Sequence, residues 1–191
     1  MRKIVFDIET QNIFDDTHIE PADLDISVLC YWDSDSDSYH SLKHDELHKF
    51  WPIVEKADML IGYNSDHFDI PLLNKYYQGD LTKIKSLDLL KEIKNSLGRR
   101  IKMDTVAEAT LGEGKSGHGL DAVAWWKSGE IDKIIKYCID DVRITKEIYD
   151  YAMKNGHLKY KDFGGIKEIK LNTENWEKKE EKPAMTFTLP F

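Results

Sequence analysis

The sequence predicts an α/β fold, with a mixed central sheet and flanking helices. Three short β-forming segments stand near the start of the chain, and strand-like and helix-like segments alternate after them. The chain has 191 residues, of which 41% are hydrophobic, enough for one domain with a substantial core. We expect that domain to span residues 1–172, followed by a charged, flexible tail over residues 173–191 that ends in an apolar peptide.

The strands are predicted from β-forming residues between polar turns. Residues 3–8 form the first strand, and residues 25–33, rich in β-branched and aromatic side chains, form the second. Residues 38–44 can pair back on the second strand across a polar turn. Residues 58–64 form a buried apolar strand that ends in a turn.

The helices are predicted from apolar spacing and from start and stop residues. Pro71 falls in the first turn of one helix, where its missing N–H costs nothing. Ser86 and Gly98 mark the start and the stop of another. The predicted helices cover residues 45–57, 69–77, 86–98, 103–112, 120–129 and 130–156, and a hairpin around Gly164–Gly165 follows over residues 157–172.

Composition excludes several classes of protein. No stretch approaches the eighteen or more apolar residues of a membrane span, and the start of the chain turns acidic at once, unlike a signal peptide. Two cysteines, Cys30 and Cys138, make no disulfide framework. We therefore expect a cytoplasmic protein with reduced thiols and no membrane partner.

The charge is unevenly distributed. The net charge is −8, which by itself argues against nucleic-acid binding. Residues 1–80 contain 17 acidic and 6 basic side chains, however, whereas residues 81–191 contain 18 and 21. Residues 83–102 form a basic patch, which has two interpretations, a contact for an anionic partner or a solvated helix surface. Its basic members are Lys83, Lys85, Lys91, Lys94, Arg99, Arg100 and Lys102.

Acidic residues recur beside apolar ones at three places. In "FDIET" the strand period puts Asp7 and Glu9 on one face, although two neighbouring carboxylates repel and are costly to bury. Asp69 follows an apolar strand and opens a helix, where it could also serve as a cap. Tyr137 and Asp141 are four residues apart on a predicted helix and so share a face.

A pair of divalent cations would explain all three places. Mg²⁺ and similar hard cations take oxygen ligands, with water and substrate phosphate completing the shell. Two such metals can stabilise both the attacking and the leaving oxygens of a phosphoryl displacement. Tyr137, whose phenol has an unperturbed pKa of about 10, would orient the attacking water, with proton acceptance a lesser role.

Two of these places match motifs of a known family. The sequence resembles the DEDD superfamily of 3'-5' exonucleases, which have an RNase H-like fold. Asp7 and Glu9 match its first motif, Asp-x-Glu on the first strand. Asn64, Phe68 and Asp69 match the second motif in the form found in proofreading domains of family B DNA polymerases, Asn-x-x-x-Phe-Asp.

The third motif indicates the branch of that superfamily. Tyr137 and Asp141 match Tyr-x-x-x-Asp, which is typical of the tyrosine branch. The histidine branch has a histidine five residues before its last aspartate, and Lys136 occupies that position here. The resemblance covers residues 1–153, and the chain resembles such an exonuclease domain standing alone.

The resemblance implies a set of functional residues. The carboxylates would bind two Mg²⁺ or Mn²⁺ ions and, together with Tyr137, would be catalytic; they are Asp7, Glu9, Asp69 and Asp141. Three further residues would lie against the terminal nucleotide, namely Thr10, Asn64 and Phe68.

The expected activity is removal of 5'-mononucleotides from the 3' end of single-stranded or frayed DNA. The form of the second motif favours DNA. An exoribonuclease is the nearest alternative, because RNA-trimming enzymes share the third motif. A second alternative is a catalytically silent module that binds nucleic acid or carries a partner.

The end of the chain suggests a separate hypothesis. Residues Thr186–Phe191, "TFTLPF", resemble the hexapeptides by which bacterial replication and repair proteins dock on the sliding clamp. Phe187, Leu189 and Phe191 would be the apolar contacts, whereas Thr186 stands where those peptides favour glutamine. The alternative is that this peptide packs on its own domain.

Overall fold

The predicted mixed sheet is confirmed in a computed structural model, which describes residues 1–114 and 119–178. The central sheet has five strands in the order β3-β2-β1-β4-β5. Strand β1 pairs antiparallel with β2 and parallel with β4, so the sheet is mixed. The strands are β1 Lys3–Thr10, β2 Ile26–Asp33, β3 Ser38–Lys43, β4 Met59–Gly62 and β5 Ser86–Asp88.

Helices flank this sheet, and a small hairpin follows the longest of them. The α-helices are α1 Trp51–Val54, α2 Asp69–Asn74, α3 Leu89–Leu97, α4 Met103–Leu111, α5 Gly119–Ser128 and α6 Ile131–Asn155. Short 3-10 turns span Pro21–Asp23, His44–Lys49, Leu81–Lys83 and Thr173–Asn175. The hairpin consists of β6 His157–Asp162 and β7 Gly165–Lys170, as predicted around Gly164–Gly165.

The sheet separates two apolar cores. Because side chains alternate along a strand, Val5 and Cys30 face one core while Phe6 and Leu29 face the other. Helices α3 to α6 and the hairpin cover the first face, and α1 and α2 cover the second. Among the described residues, none of the helices combines the length and the apolar character of a membrane span.

Two predicted helices differ from the structure at their starts. Residues 86–88 are a strand, and Asp88, not Ser86, caps the helix that follows by accepting hydrogen bonds from the backbone of Leu90 and Lys91. The predicted helix over 45–57 is a 3-10 turn followed by one turn of α-helix.

The first residues of the expected tail are folded onto the domain. Trp176 is buried, stacks on Tyr149 and donates from its indole nitrogen to Glu92. Glu177 accepts from Lys3 at 2.7 Å. The segment up to residue 178 therefore packs against the core, in contrast to the flexible tail expected from residue 173. The peptide predicted to dock on a clamp, residues 186–191, lies outside the described residues.

Candidate active site

Strand β1 places Asp7 and Glu9 on the same face of the sheet, as the strand period predicts. Asp7 lies opposite Cys30 of β2, and Glu9 lies opposite Val28. The pairing register shifts between Glu9 and Thr10, which ends the regular ladder at this point. Such irregularities re-aim side chains and are common beside active sites.

Asp141 approaches these two carboxylates from helix α6, which packs across β1 and β2. Asp7, Glu9 and Asp141 each offer an oxygen, and these oxygens lie within 4.8 Å of one another. Asp141 is 3% exposed and Glu9 is 8% exposed, whereas Asp7 is half-buried. Three carboxylates from two distant segments therefore form one acidic cluster, which we call the carboxylate cluster.

Asp69 lies against the backbone between the two β1 acids. Strand β4 ends at Gly62, and Asp69, at the start of α2, accepts a hydrogen bond from the Ile8 backbone N–H at 3.2 Å. The Asp69 side chain is buried. Asp69 thus adjoins β1 beside the carboxylate cluster but is not one of its three members.

Tyr137 lies one helical turn before Asp141 and is buried with it. Its ring meets that of Trp125 edge to face, with the ring centroids 6.1 Å apart. Both Trp125 and Trp126 are partly buried against the core. Helix α5 therefore restricts where the Tyr137 phenol can point.

The neighbouring acid Asp140 belongs to a different set of contacts. Asp140 accepts from the Arg143 guanidinium at 2.8 Å, and the same guanidinium binds Glu113 and Glu147. These three carboxylates raise the pKa of Arg143. Two adjacent aspartates of α6 thus have different surroundings, Asp141 in the carboxylate cluster and Asp140 in an ion-pair network.

An apolar pocket of about 440 Å³ opens beside Glu9. Thr10 and Phe68, both predicted to contact a nucleotide, line it, and Phe14 meets Phe68 edge to face. The Thr10 hydroxyl donates to the backbone carbonyl of Asn12 at 2.7 Å and so shapes the loop after β1. No sequence pattern indicated Phe14, because an apolar residue in a loop has no periodicity.

Asn64 does not line this pocket. Its backbone has a φ of 71°, in the left-handed region, and its N–H donates to Asp88 at 2.8 Å. The Asn64 side-chain oxygen accepts from Arg100 at 2.6 Å, in a separate groove. The structure thus places Asn64 beside the basic patch, and Asp88 supports its strained turn.

Cys138 lies directly behind Asp7. Its sulfur is 3.4 Å from the Asp7 carbonyl oxygen and 3.7 Å from Asp7 Oδ2. Complete burial, with Cys30 adjacent, raises the pKa of the Cys138 thiol well above its usual value. The protonated thiol therefore donates to Asp7 and helps to hold this strand residue in place.

A comparison with protein families identifies the fold. Residues 4–153 match the model of the RNase H superfamily. The chain belongs to the RNase H superfamily. Membership implies a nuclease-like function and a nucleic-acid substrate, and nucleases of this superfamily generally use divalent metals.

A solved structure agrees with this assignment. The chain resembles the family B DNA polymerase from the hyperthermophilic archaeon Pyrobaculum calidifontis, with a TM-score of 0.62 and 21% identity. The match covers 80% of this chain and 24% of the polymerase, so the chain spans about a quarter of that protein's length. The RNase H-like fold, which the resemblance to DEDD-type exonucleases implies, is confirmed. A comparison with curated proteins found no significant match.

The donor atoms of the carboxylate cluster fit the metals that the superfamily uses. All three are carboxylate oxygens, the type of ligand that suits hard cations such as Mg²⁺ and Mn²⁺. Two of the three side chains are buried, where a compensating cation is most favourable. The site can therefore hold at least one hard divalent cation.

Proposed function

We propose that this protein is a 3'-5' exonuclease that removes 5'-mononucleotides from single-stranded or frayed DNA with two Mg²⁺ or Mn²⁺ ions. One observation carries the proposal, the carboxylate cluster at the edge of an apolar pocket lined by aromatic rings. The cluster suits a metal-bound phosphate, and the pocket suits the sugar and base of one terminal nucleotide. A volume of about 440 Å³ is in the range of small-ligand sites.

Asp7, Glu9 and Asp141 would hold the metal ions, with Asp69 as the fourth ligand that the motif predicts. Bound divalent metals supply Lewis-acid stabilisation of the charge that develops on a phosphoryl group under attack. The protein's share is positioning. Strand β1 and helix α6 are rigid elements, so the carboxylates keep their spacing without cost at the moment of reaction.

Two groups of side chains would orient the substrate and the water. Phe14 and Phe68 would offer apolar surface to the terminal nucleotide next to Glu9. This apolar surface would exclude water from one side of the phosphate. Tyr137, confined by Trp125, would direct its hydroxyl to the attacking water. We expect Tyr137→Phe to lower kcat by about 10²-fold or more with little change in KM. A loss of this size is typical when a positioned side chain that assists proton transfer is removed.

The test is digestion of a 5'-labelled single-stranded DNA oligonucleotide and its RNA counterpart, with Mg²⁺, Mn²⁺ or EDTA. Wild type should give a ladder that shortens from the 3' end of DNA and should release 5'-mononucleotides. Phosphorothioate linkages at the 3' end should block the ladder, whereas the same linkages at the 5' end should not.

Two aspartates of α6 provide matched variants. Asp141→Asn should abolish digestion, whereas Asp140→Asn, which removes the adjacent acid outside the cluster, should retain it. Digestion of RNA alone would replace this proposal with an exoribonuclease. No digestion of either polymer, with no binding of Mn²⁺ by calorimetry, would indicate a silent binding module.

A further inference from the structure

A second groove, distinct from the apolar pocket, lies between the α3–α4 connection and the tip of the β6–β7 hairpin. Its volume is about 780 Å³ and it is open to solvent. Four cationic side chains line it, together with the aromatic ring at the hairpin tip; they are Arg99, Arg100, Lys102, Lys161 and Phe163. All five are exposed.

Three of the four cations of this groove, Arg99, Arg100 and Lys102, belong to the basic patch of the sequence, and Lys161 is added by the hairpin. Other members of the patch serve the fold: Lys91 pairs with Asp66 at 2.7 Å, and Lys85 donates to the backbone carbonyl of Lys178 at 2.6 Å. Lys83 lies near Asp80. These three lysines contact other groups of the protein and do not line the groove.

Acidic residues only partly offset the charge of the groove. Glu108 and Asp162 also line it, but Asp162 is paired with Lys167 at 2.7 Å. The groove therefore keeps an excess of positive charge in a protein whose net charge is −8.

Phe163 is fully exposed at the tip of a hairpin whose turn is ordered. Asp162 accepts from the Gly164 backbone N–H at 2.8 Å, and the strands pair along their length. Beneath the tip, the Arg99 guanidinium lies over the Tyr160 ring, 5.3 Å from its centroid. An exposed aromatic ring among cations is the arrangement on which unpaired bases stack while phosphates are neutralised.

Arg100 connects the groove to Asn64 of the second motif. Arg100 donates to Asn64 of the second motif at 2.6 Å, and the Tyr63 hydroxyl donates to the Ile101 carbonyl at 2.7 Å. Arg100 also lines the adjoining groove, together with Asn64 and Lys94. A strand that passes Asn64 would thus meet Arg100 and Lys94, beside the acidic residues Asp66 and Asp88, before it reaches the groove.

We infer that this groove binds the single-stranded DNA segment that precedes the terminal nucleotide, with phosphates on Arg99, Lys102 and Lys161 and a base on Phe163. The inference rests on the proposed function for the polarity of the strand. It predicts that affinity depends on oligonucleotide length, because a strand too short to reach the hairpin gains nothing from the groove.

The test measures fluorescence anisotropy of labelled dT4 and dT20 in EDTA, so that binding is read without cleavage. The double variant Lys102→Ala/Lys161→Ala should weaken dT20 binding by about tenfold and should reduce its salt dependence, because each lost phosphate contact removes about 0.7 from the log–log slope. Phe163→Ala should weaken the binding of dT20 by about fivefold or more. Binding of dT4 should change little in either variant.

Matched controls come from exposed residues outside the groove. Lys83→Ala and Ile166→Ala, the latter on the same hairpin, should leave dT20 binding unchanged. Wild-type affinity in the groove variants, equal losses in the controls, or equal losses for dT4 would each overturn the inference. Tighter binding of the matched RNA, lost in the same variants, would overturn DNA as the ligand.

A small chromogenic substrate separates this inference from the proposed function. Hydrolysis of the p-nitrophenyl ester of thymidine 5'-monophosphate reports the carboxylate cluster alone and should be unchanged in the groove variants. Its absence in wild type would count against the proposed function, whereas the anisotropy result in EDTA would still decide the groove.

Discussion

Replacement of Asp141 by asparagine should make the metal-free protein more stable while abolishing its activity. Two unit charges 4.8 Å apart repel by about 3.5 kcal/mol at an effective dielectric constant of about 20. Asp141→Asn keeps the shape of the side chain and removes its repulsion with both Asp7 and Glu9. Solvent at the half-buried Asp7 screens part of this energy, so we expect a gain of about 1–2 kcal/mol.

The assay is thermal unfolding in EDTA and in Mn²⁺. For a chain of this length, a gain of that size raises Tm by about 2–8 °C. Mn²⁺ should reverse the order of the two Tm values. At a concentration a hundred times the Kd for Mn²⁺, it stabilises the wild type by about 2.7 kcal/mol, and it binds the variant more weakly. An unchanged or lower Tm for Asp141→Asn in EDTA would refute the assumed proximity of the charges.

Asp140→Asn is the control for the loss of a neighbouring charge. Asp140 pairs with Arg143, which retains Glu113 and Glu147 as partners. We therefore expect Asp140→Asn to lower stability by at most about 1 kcal/mol and to leave the response to Mn²⁺ intact.

Two further predictions concern stability away from the site. Trp176→Ala should lower the free energy of unfolding by about 3 kcal/mol in urea titrations, because it empties a buried position and leaves Glu92 without the indole donor; a loss below 1 kcal/mol would mean that this segment is not part of the core. Arg2 holds the pKa of Asp33 below its usual value, so the pair stabilises the fold above pH ~4, and this contribution is lost as the pH falls through the depressed pKa. Arg2→Ala should therefore cost about 1–2 kcal/mol at pH 7, and the gap from wild type should narrow below pH ~4.

The sequence was most informative where a single repeat spacing predicts both the type of secondary structure and the residues that share one face of it. The alternation along residues 3–10 predicted that Asp7 and Glu9 share a face, and the four-residue spacing of Tyr137 and Asp141 predicted theirs. Neither pattern predicts that α6 packs across β1 beside Asp7. That long-range contact was predicted only from the resemblance, because a family match implies a known fold, whereas local spacing does not.

Prediction from the sequence was wrong where an element is too short to show a periodic pattern, or where a contact with a distant residue decides the position of a side chain. Strand β5 has three residues, too few to show alternation, and Ser86 before an apolar run resembled a helix cap. Trp176 stands alone among charged residues, so composition indicated a flexible tail although its burial is decided by Tyr149 and Glu92. Asn64 matched its motif, but its side chain is turned toward Arg100, a contact across 36 residues that no local rule predicts.

The separation of charge within the chain explains how an acidic protein can act on a polyanion. At physiological salt a phosphate interacts mainly with charges within about 8 Å, so the net charge of −8 matters less than where the charges lie. Part of the acidic excess lies in the carboxylate cluster, where bound cations would convert repulsion of the scissile phosphate into attraction. The cations of the second groove would hold the rest of the strand. With so few phosphate contacts, binding of the strand that we propose would be weak, which favours release of the strand after each cleavage over a long processive run.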